Sequence, residues 1–228
     1  MNLKQQAALK AFDYVHNGMV LGLGSGSTIA FFVDILGEKL KLGDLKNILG
    51  VPTSLATAHR ANLLGIQLTT LTDHPKLDLA VDGADEVDPE LNLIKGLGRA
   101  LLREKIVEVH AEQFVVIVDE SKLVKRLGLK GALPVEIVPF EMQAHINWLN
   151  TLGCNATMWL EEDGKQVLTD NGNYLALCYF NDGIPDVYGL ADKMNARPGI
   201  VEHGLFLKMA TRVIVAGDEG VCLLEKPV

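Results

Sequence analysis

The sequence predicts an α/β protein: a Rossmann-like, mostly parallel sheet domain carrying an inserted smaller α+β domain. Three observations predict it. In the first half of the chain, short apolar runs alternate with amphipathic helical patterns, and the runs are nearly continuous in apolar residues, as strands covered on both faces are. After Lys130 the order of patterns becomes βαββαβ, the split arrangement of a ferredoxin-like domain. A last apolar run, Val213 to Ala216, then resumes the first style. These boundaries assign residues 1–130 and 207–228 to the larger domain and 131–206 to the smaller.

Each element has its own signal. Residues 2–16 read as a helix, followed by the strand Met19 to Leu23 and a glycine-rich turn. The next helix repeats Ile29, Phe32, Ile35, Leu36 and Leu40 at three- and four-residue spacing, which gives it one apolar face. Strand-like runs recur at Ile48 to Val51, Ile66 to Leu71, Leu77 to Val81 and Phe114 to Val118, with helices at 54–64 and 98–111. In the smaller domain, strands are expected at Leu133 to Val138, 155–160, 174–180 and 200–206, with helices at 141–152 and 186–195. The turn-rich stretches Glu161 to Gly164 and Asp170 to Asn173 fall between its second and third strands.

Composition narrows the function. The 228 residues are 48% hydrophobic and 22% charged, enough apolar content for a core and too little charge for disorder. A formal net charge of -8 argues against nucleic acid or an anionic membrane surface as partner. It leaves room for an anionic small molecule, since local amides and lysines hold phosphate against an acidic background. The polar start MNLKQQAALKAF does not read as a signal peptide, and no apolar run reaches membrane-spanning length. Cys154, Cys178 and Cys222 are odd in number and scattered, so they read as buried thiols in a reducing, cytoplasmic compartment.

Four stretches carry groups suited to chemistry. Gly22-Leu-Gly-Ser-Gly-Ser-Thr28 lies between a strand and a helix, where glycines permit a tight turn and the helix N-terminus offers amides; Ser25, Ser27 and Thr28 add hydroxyls, making an anion cradle. It is neither a Walker loop nor a dinucleotide fingerprint, and its bland alternative is a turn with Ser27 as N-cap. Asp82-Gly-Ala-Asp85-Glu-Val-Asp88 follows a strand, where ligands of open parallel sheets sit. Its carboxylates suit proton transfer or Mg²⁺; the alternative is a solvated acidic turn. Lys95-Gly-Leu-Gly-Arg-Ala-Leu101 feeds a helix on which Leu102, Ile106 and Val109 form an apolar stripe, with Arg103 and Glu104 directed away from it. By periodicity alone Glu104 is an ordinary solvent-facing glutamate. Asp119-Glu-Ser-Lys122 ends a strand and offers a lysine, or simply a cap for the next turn.

Taken together, GSGST (24–28), DGADEVD (82–88), KGLGRALLREKI (95–106), DESK (119–122), TDNGN (169–173) and RPGIVEHGLF (197–206) resemble the A type of ribose-5-phosphate isomerase, in order, spacing and length, from about residue 2 to the end. The resemblance implies a cytoplasmic enzyme of the pentose phosphate pathway that interconverts ribose 5-phosphate and ribulose 5-phosphate, without metal or cofactor, as a homodimer or homotetramer. It implies that Glu104 is the base moving a proton between C1 and C2, and that Asp82 and Asp85, with Gly83 and Ala84 in the same loop, serve ring opening and proton relay. Lys95 with Gly96, Leu97 and Gly98 matches the loop that meets the enediolate oxygen. Ser25, Gly26, Ser27 and Thr28 match the first substrate loop, Lys122 a substrate-binding lysine, and Lys4 another lysine near the phosphate. The chain departs from the family's usual glycines at Leu97 and Arg99. A positive φ at Leu97 would strain the loop, and Arg99 would add positive charge near the substrate.

Two other readings stay open on sequence alone: an amino-sugar-phosphate deaminase of related architecture, and a non-catalytic sugar-phosphate sensor. Ketose formation from ribose 5-phosphate is expected to be unaffected by EDTA; activity lost to the chelator and restored by Mg²⁺ would make the acidic loop a metal site.

Overall fold

In a computed structural model of the protein, residues 2–225 are described. The larger domain's assigned ends at residue 1 and residues 226–228 lie outside them. The first half of the chain forms α1 (Leu3–Ala11), β1 (Val20–Leu23), α2 (Ser27–Leu42), β2 (Leu49–Pro52), α3 (Leu55–Leu63), β3 (Gln67–Leu68), β4 (Leu77–Asp82), β5 (Glu86–Val87), β6 (Leu93–Ile94), α4 (Leu101–Glu108) and β7 (Ala111–Asp119). The second half forms β8 (Leu133–Ile137), α5 (Met142–Asn150), β9 (Asn155–Met158), β10 (Tyr174–Tyr179), α6 (Val187–Asn195), β11 (Ile200–His203), β12 (Leu205–Phe206), β13 (Arg212–Gly217) and β14 (Gly220–Glu225). Among the described residues these make two compact units, residues 2–84, 103–122 and 208–225 in one, and 85–102 and 123–207 in the other.

The first unit is built on a seven-stranded sheet in the order β14-β13-β7-β4-β1-β2-β3. All neighbours are parallel except the β13–β14 hairpin at one edge. The strand order reverses at β1, which lies between β2 and β4, the switch point at which doubly wound sheets open a crevice. The sheet's central residues, among them Leu21, Leu23, Leu79, Val81, Val115, Ile117 and Ile214, are fully or almost fully buried, as a sheet covered on both faces requires. Ile29, Phe32 and Leu36 of α2 pack into the same core, with Ile35 and Leu40 partly buried beside them. Asn2 and Gln5 close a reciprocal capping box at the start of α1, at 2.8 and 3.1 Å.

The second unit has a four-stranded antiparallel sheet in the order β11-β8-β10-β9. That is the ferredoxin-like order, with α5 and α6 supplying Ile146, Leu149, Leu190, Ala191 and Met194 to a core shared with Leu133, Val135 and Ile137 of β8. Alternation along β8 turns Glu136 away from those three residues, yet it is fully buried. Its Oε1 accepts from Thr169 Oγ1 at 3.0 Å, Asn171 Nδ2 at 3.3 Å and Asn173 Nδ2 at 2.8 Å, so the TDNGN stretch folds over a buried carboxylate of its own sheet. A small three-stranded sheet, β12-β6-β5, also belongs to this unit.

Several sequence expectations are corrected. The first helix ends at Ala11 and a 3₁₀ turn takes Phe12–Tyr14. The helix expected over 98–111 shortens to α4, because Arg99 takes a left-handed φ of 67° and closes a turn with Gly96 (Arg99 N to Gly96 O, 2.9 Å). The strand expected over 200–206 breaks at Gly204, where the chain leaves β8 and pairs instead with β6. Residues 85–102 and 123–130, assigned by sequence to the larger domain, pack with the smaller unit. The Glu86 carboxylate fastens that second segment, accepting from the amides of Gly128, Lys130 and Gly131 at 2.6, 2.7 and 2.9 Å.

The thiols also differ from expectation, since Cys222 is exposed on β14. Cys154 and Cys178 are buried in the second core; the hydrogen bond between them, together with burial, pushes the Cys178 thiol well above its ordinary range. A thiolate reagent is therefore expected to label Cys222 alone in the native protein, and the other two only after denaturation, as read by mass spectrometry.

Candidate active site

In the first unit, Asp82 is the last residue of β4 and only 1% exposed. Its Oδ1 accepts from the Ser25 amide at 3.0 Å and the Gly83 amide at 2.7 Å, so one carboxylate oxygen joins the turn after β1 to the turn after β4. The approach is so close that a Cβ on residue 24 would lie 2.1 Å from Asp82 Cγ, which explains Gly24. Gly83 and Ala84 continue from that carboxylate, half-buried.

The glycine-rich turn ends at Gly26, whose φ of 98° makes it the N-cap of α2; Ser27 is the first helical residue, which rules out Ser27 as the cap. The amides that open this 16-residue helix lie beside Ser27 and Thr28, as an anion site requires. Lys4 Nζ donates to Ser27 Oγ at 2.8 Å, bringing α1's lysine to the turn. Lys4, Ser27 and Asp119 line one groove of about 550 Å³. Ser25 faces the other way: its hydroxyl lies 2.8 Å from both Thr53 Oγ1 and Ser54 Oγ, and Thr57 Oγ1 donates to Gly24 O at 2.8 Å. Sequence reading missed Thr53, Ser54 and Thr57. Their signal is a Thr-Ser pair directly after β2, at the same sheet edge as the first turn.

Glu104 sits in the first turn of α4 and is 3% exposed. The expected polarity of this helix is reversed. Ile106 and Val109 are exposed, whereas Leu101, Glu104, Val107 and Glu108 are buried. Val107 packs with Val51 and Leu77, which fixes the face that α4 turns inward. The Leu77 amide donates to His110 O at 2.9 Å, so the C-terminal end of α4 lies at the beginning of β4. Its first turn therefore points toward the end where β4 delivers Asp82, and the tilt of Cβ toward a helix N-terminus carries the Glu104 side chain further that way. Lys122 closes the 3₁₀ turn after β7, half-buried, and Asp119 caps that turn by accepting from the Ser121 amide at 3.0 Å.

In the second unit, Lys95 follows β6 and is 2% exposed. Its amide donates to Gly204 O at 2.9 Å, and its ammonium lies 5.3 Å from the centre of the Phe206 ring. Gly96 takes a φ of 113° and packs so tightly that a Cβ would meet Leu101 Cδ2 at 2.8 Å. Leu97 keeps a negative φ and is 41% exposed, so the strain anticipated there is absent; Arg99 takes the left-handed conformation instead, at a cost of roughly 1–2 kcal/mol. The Leu97 amide donates to Asp85 Oδ2 at 2.9 Å. The Arg99 guanidinium is engaged by Glu161, at 2.6 and 3.1 Å, so it does not act as a loose positive charge.

The acidic stretch is thus dispersed among separate amides, Asp82 and Asp85 each holding a different glycine-rich turn. Among the described residues no group of three or more His, Cys, Asp or Glu is arranged to hold a metal ion, and no helix is long and apolar enough to cross a membrane.

A doubly wound sheet with carboxylates and anion-type turns at its carboxyl ends, joined in one chain to a ferredoxin-like unit, defines an α/β protein built to handle a small anionic metabolite. Residues 49–220 match the family model for ribose 5-phosphate isomerase A (phosphoriboisomerase A). A probable ribose-5-phosphate isomerase 2 of Arabidopsis thaliana is 51% identical, over 98% of this chain and 86% of the relative. Ribose-5-phosphate isomerase A of Roseiflexus castenholzii is 49% identical, over 98% and 95%. A solved D-ribose-5-phosphate isomerase in complex with phospho-erythronic acid superposes with a TM-score of 0.95 at 43% identity, over 99% of this chain and 100% of that one. The chain belongs to the ribose 5-phosphate isomerase A family.

Gly24→Ala is expected to displace the Asp82 carboxylate, lowering stability by about 1–3 kcal/mol in urea unfolding and reducing turnover with it.

Proposed function

We propose that the chain interconverts D-ribose 5-phosphate and D-ribulose 5-phosphate, an aldose–ketose isomerisation, with Glu104 as the base. Membership of the family supports the reaction, and the burial of Glu104 is the observation that carries the residue assignment: a carboxylate that helical periodicity would leave in water is 3% exposed, in the turn of α4 nearest the end of β4. In the open-chain aldose, the C2 proton is acidic because the electrons left behind spread onto the C1 carbonyl oxygen. Glu104 takes that proton, leaving an enediolate, and returns it to C1. A proton passes between O1 and O2 in the same interval, so the product is the ketose and the carboxylate is regenerated.

Asp82 and Asp85 serve this oxygen-to-oxygen transfer and the preceding ring opening. Lys95 and the turn Gly96-Leu97-Gly98 supply the positive charge and amides that meet the enediolate oxygen; losing one such donor typically costs about 10²–10³ in rate. The Leu97 amide already holds Asp85, which ties the relay carboxylate to the oxyanion turn. Gly26, Ser27 and Thr28, with Lys4 and Lys122, receive the phosphate, whose binding energy orients a reacting end several bonds away, while Ser25 ties their turn to Asp82 and Thr53. The solved relative's phospho-erythronic acid is a phosphorylated sugar acid. Its carboxylate resembles an enediolate in charge and planarity, which supports the same reaction course here. We also read the chain as a cytoplasmic homodimer or homotetramer, with a sugar phosphate rather than nucleic acid or membrane as its partner.

Glu104→Gln is expected to keep the fold while kcat for ribose 5-phosphate falls about 10²–10⁴-fold and KM changes little. Near-normal turnover in that variant would remove Glu104 from the reaction. Ammonia released from an amino-sugar phosphate would replace isomerisation with deamination.

A further inference from the structure

Arg99 presents a local conflict. A non-glycine residue with a φ of 67° closes the Gly96–Arg99 turn, in a conformation that its Cβ disfavours. What holds it comes from 62 residues away. The guanidinium makes two parallel bonds to Glu161, Nη1 to Oε1 at 2.6 Å and Nη2 to Oε2 at 3.1 Å, and its carbon lies 5.2 Å from the centre of the Trp159 ring. The arm that carries both partners is itself fixed. Trp159 donates its amide to Leu175 O at 2.8 Å and accepts from Val167 at 2.9 Å, while Glu161 and Lys165 close the tip at 2.7 Å. A planar fork met by a planar carboxylate fixes direction as well as distance, which a simple charge contact does not, and the indole face adds a cation–π contact.

The turn held in this way is the one that carries Lys95 and the Leu97 amide. It is anchored at its start by the Lys95 amide on Gly204 O and in its middle by the Leu97 amide on Asp85. Arg99 supplies the third anchor, at the end. Between these anchors Leu97 and Gly98 are exposed, and nothing lies within 4 Å of a Cβ built on Gly98.

We propose that Arg99, Glu161 and Trp159 form a clasp that positions the Lys95–Gly98 turn, making Arg99 a positioning residue for the isomerisation. It acts through the Leu97–Asp85 bond and touches no reacting atom. Its kinetic half rests on the functional reading above; its structural half does not. With side chains 40% and 43% exposed, the pair is open to screening, so the clasp loosens as ionic strength rises.

The test uses Glu161→Gln and Arg99→Lys in the full chain. Amide exchange at residues 97–99 is expected to quicken about threefold to tenfold in Glu161→Gln, while exchange at 26–28 is unchanged. In the same variant kcat is expected to fall by a similar factor with KM within about twofold; added salt should lower kcat in the unaltered protein, and that response should disappear in the variant. Arg99→Lys, which keeps the charge and loses the fork, should lie between the two. Unchanged exchange at 97–99 overturns the clasp. Faster exchange with unaltered kcat and salt response overturns the positioning role and leaves a purely structural contact. Faster exchange in a protein that does not isomerise ribose 5-phosphate sinks the functional reading and, with it, the positioning role, while the clasp itself stands.

Discussion

Asp82 Oδ1, shared between the Ser25 and Gly83 amides, is the constraint from which the rest of the sheet edge in the first unit takes its position. Bonds from amides to an ionised acceptor are worth about 1.5–3 kcal/mol each, more than an exposed pair such as Lys10–Asp13 returns. Because the carboxylate must reach over the β1 turn, residue 24 carries no side chain. The backbone beyond it then has one course, into a glycine N-cap and the opening amides of α2. Ser25, held by its amide on one side, has its hydroxyl gathered among Thr53, Ser54 and Thr57 on the other. Three successive strand ends are thereby locked before any ligand arrives, which is preorganisation in the sense that matters for binding an anion.

The stretch from Asp82 to Asp88 illustrates how misleading proximity in sequence is. Four carboxylates lie within seven residues, and each is taken by different donors. Asp85 goes to Leu97, Glu86 to the 128–131 segment, and Asp88 to the amides of Glu90 and Asn92 in a local turn. A strand end followed by a two-residue strand throws alternate side chains to opposite sides, so the charges are dispersed as the chain folds. Composition registers the acidity; only the path of the backbone gives each charge its work.

The doubly wound sheet and the ferredoxin-like order were legible because both rest on long apolar periodicities. The two-residue strands β5 and β6 have no period to detect, and the exposed β14 lacks the buried run that marks a central strand. The face of α4 was misread for a specific reason. Ile106 and Val109 outvote the glutamates on hydrophobicity, while the helix buries Glu104 and Glu108 beside Val107. Where a helix turns carboxylates inward and aliphatic groups outward, tertiary placement has overridden the amphipathic rule, and such violations gather at functional sites. The glycine-rich turns, Asp82 and Lys95 were visible as motifs. The reach of Glu161 to Arg99 was not, since nothing in either segment names the other.

Gly204 has a consequence for where this loop can carry side chains. A Cβ there would stand 2.2 Å from Lys95 O and 3.0 Å from Pro134 Cδ, and on the same side Gly96 is closed by Leu101. The inner wall of the loop is consequently shut to side chains of any size. Its outer rim is not: Leu97 and Gly98 are exposed, and Gly98 has open space around it. Side chains can thus be added to this loop in a single direction, at the rim, because the inner lining has no room for them.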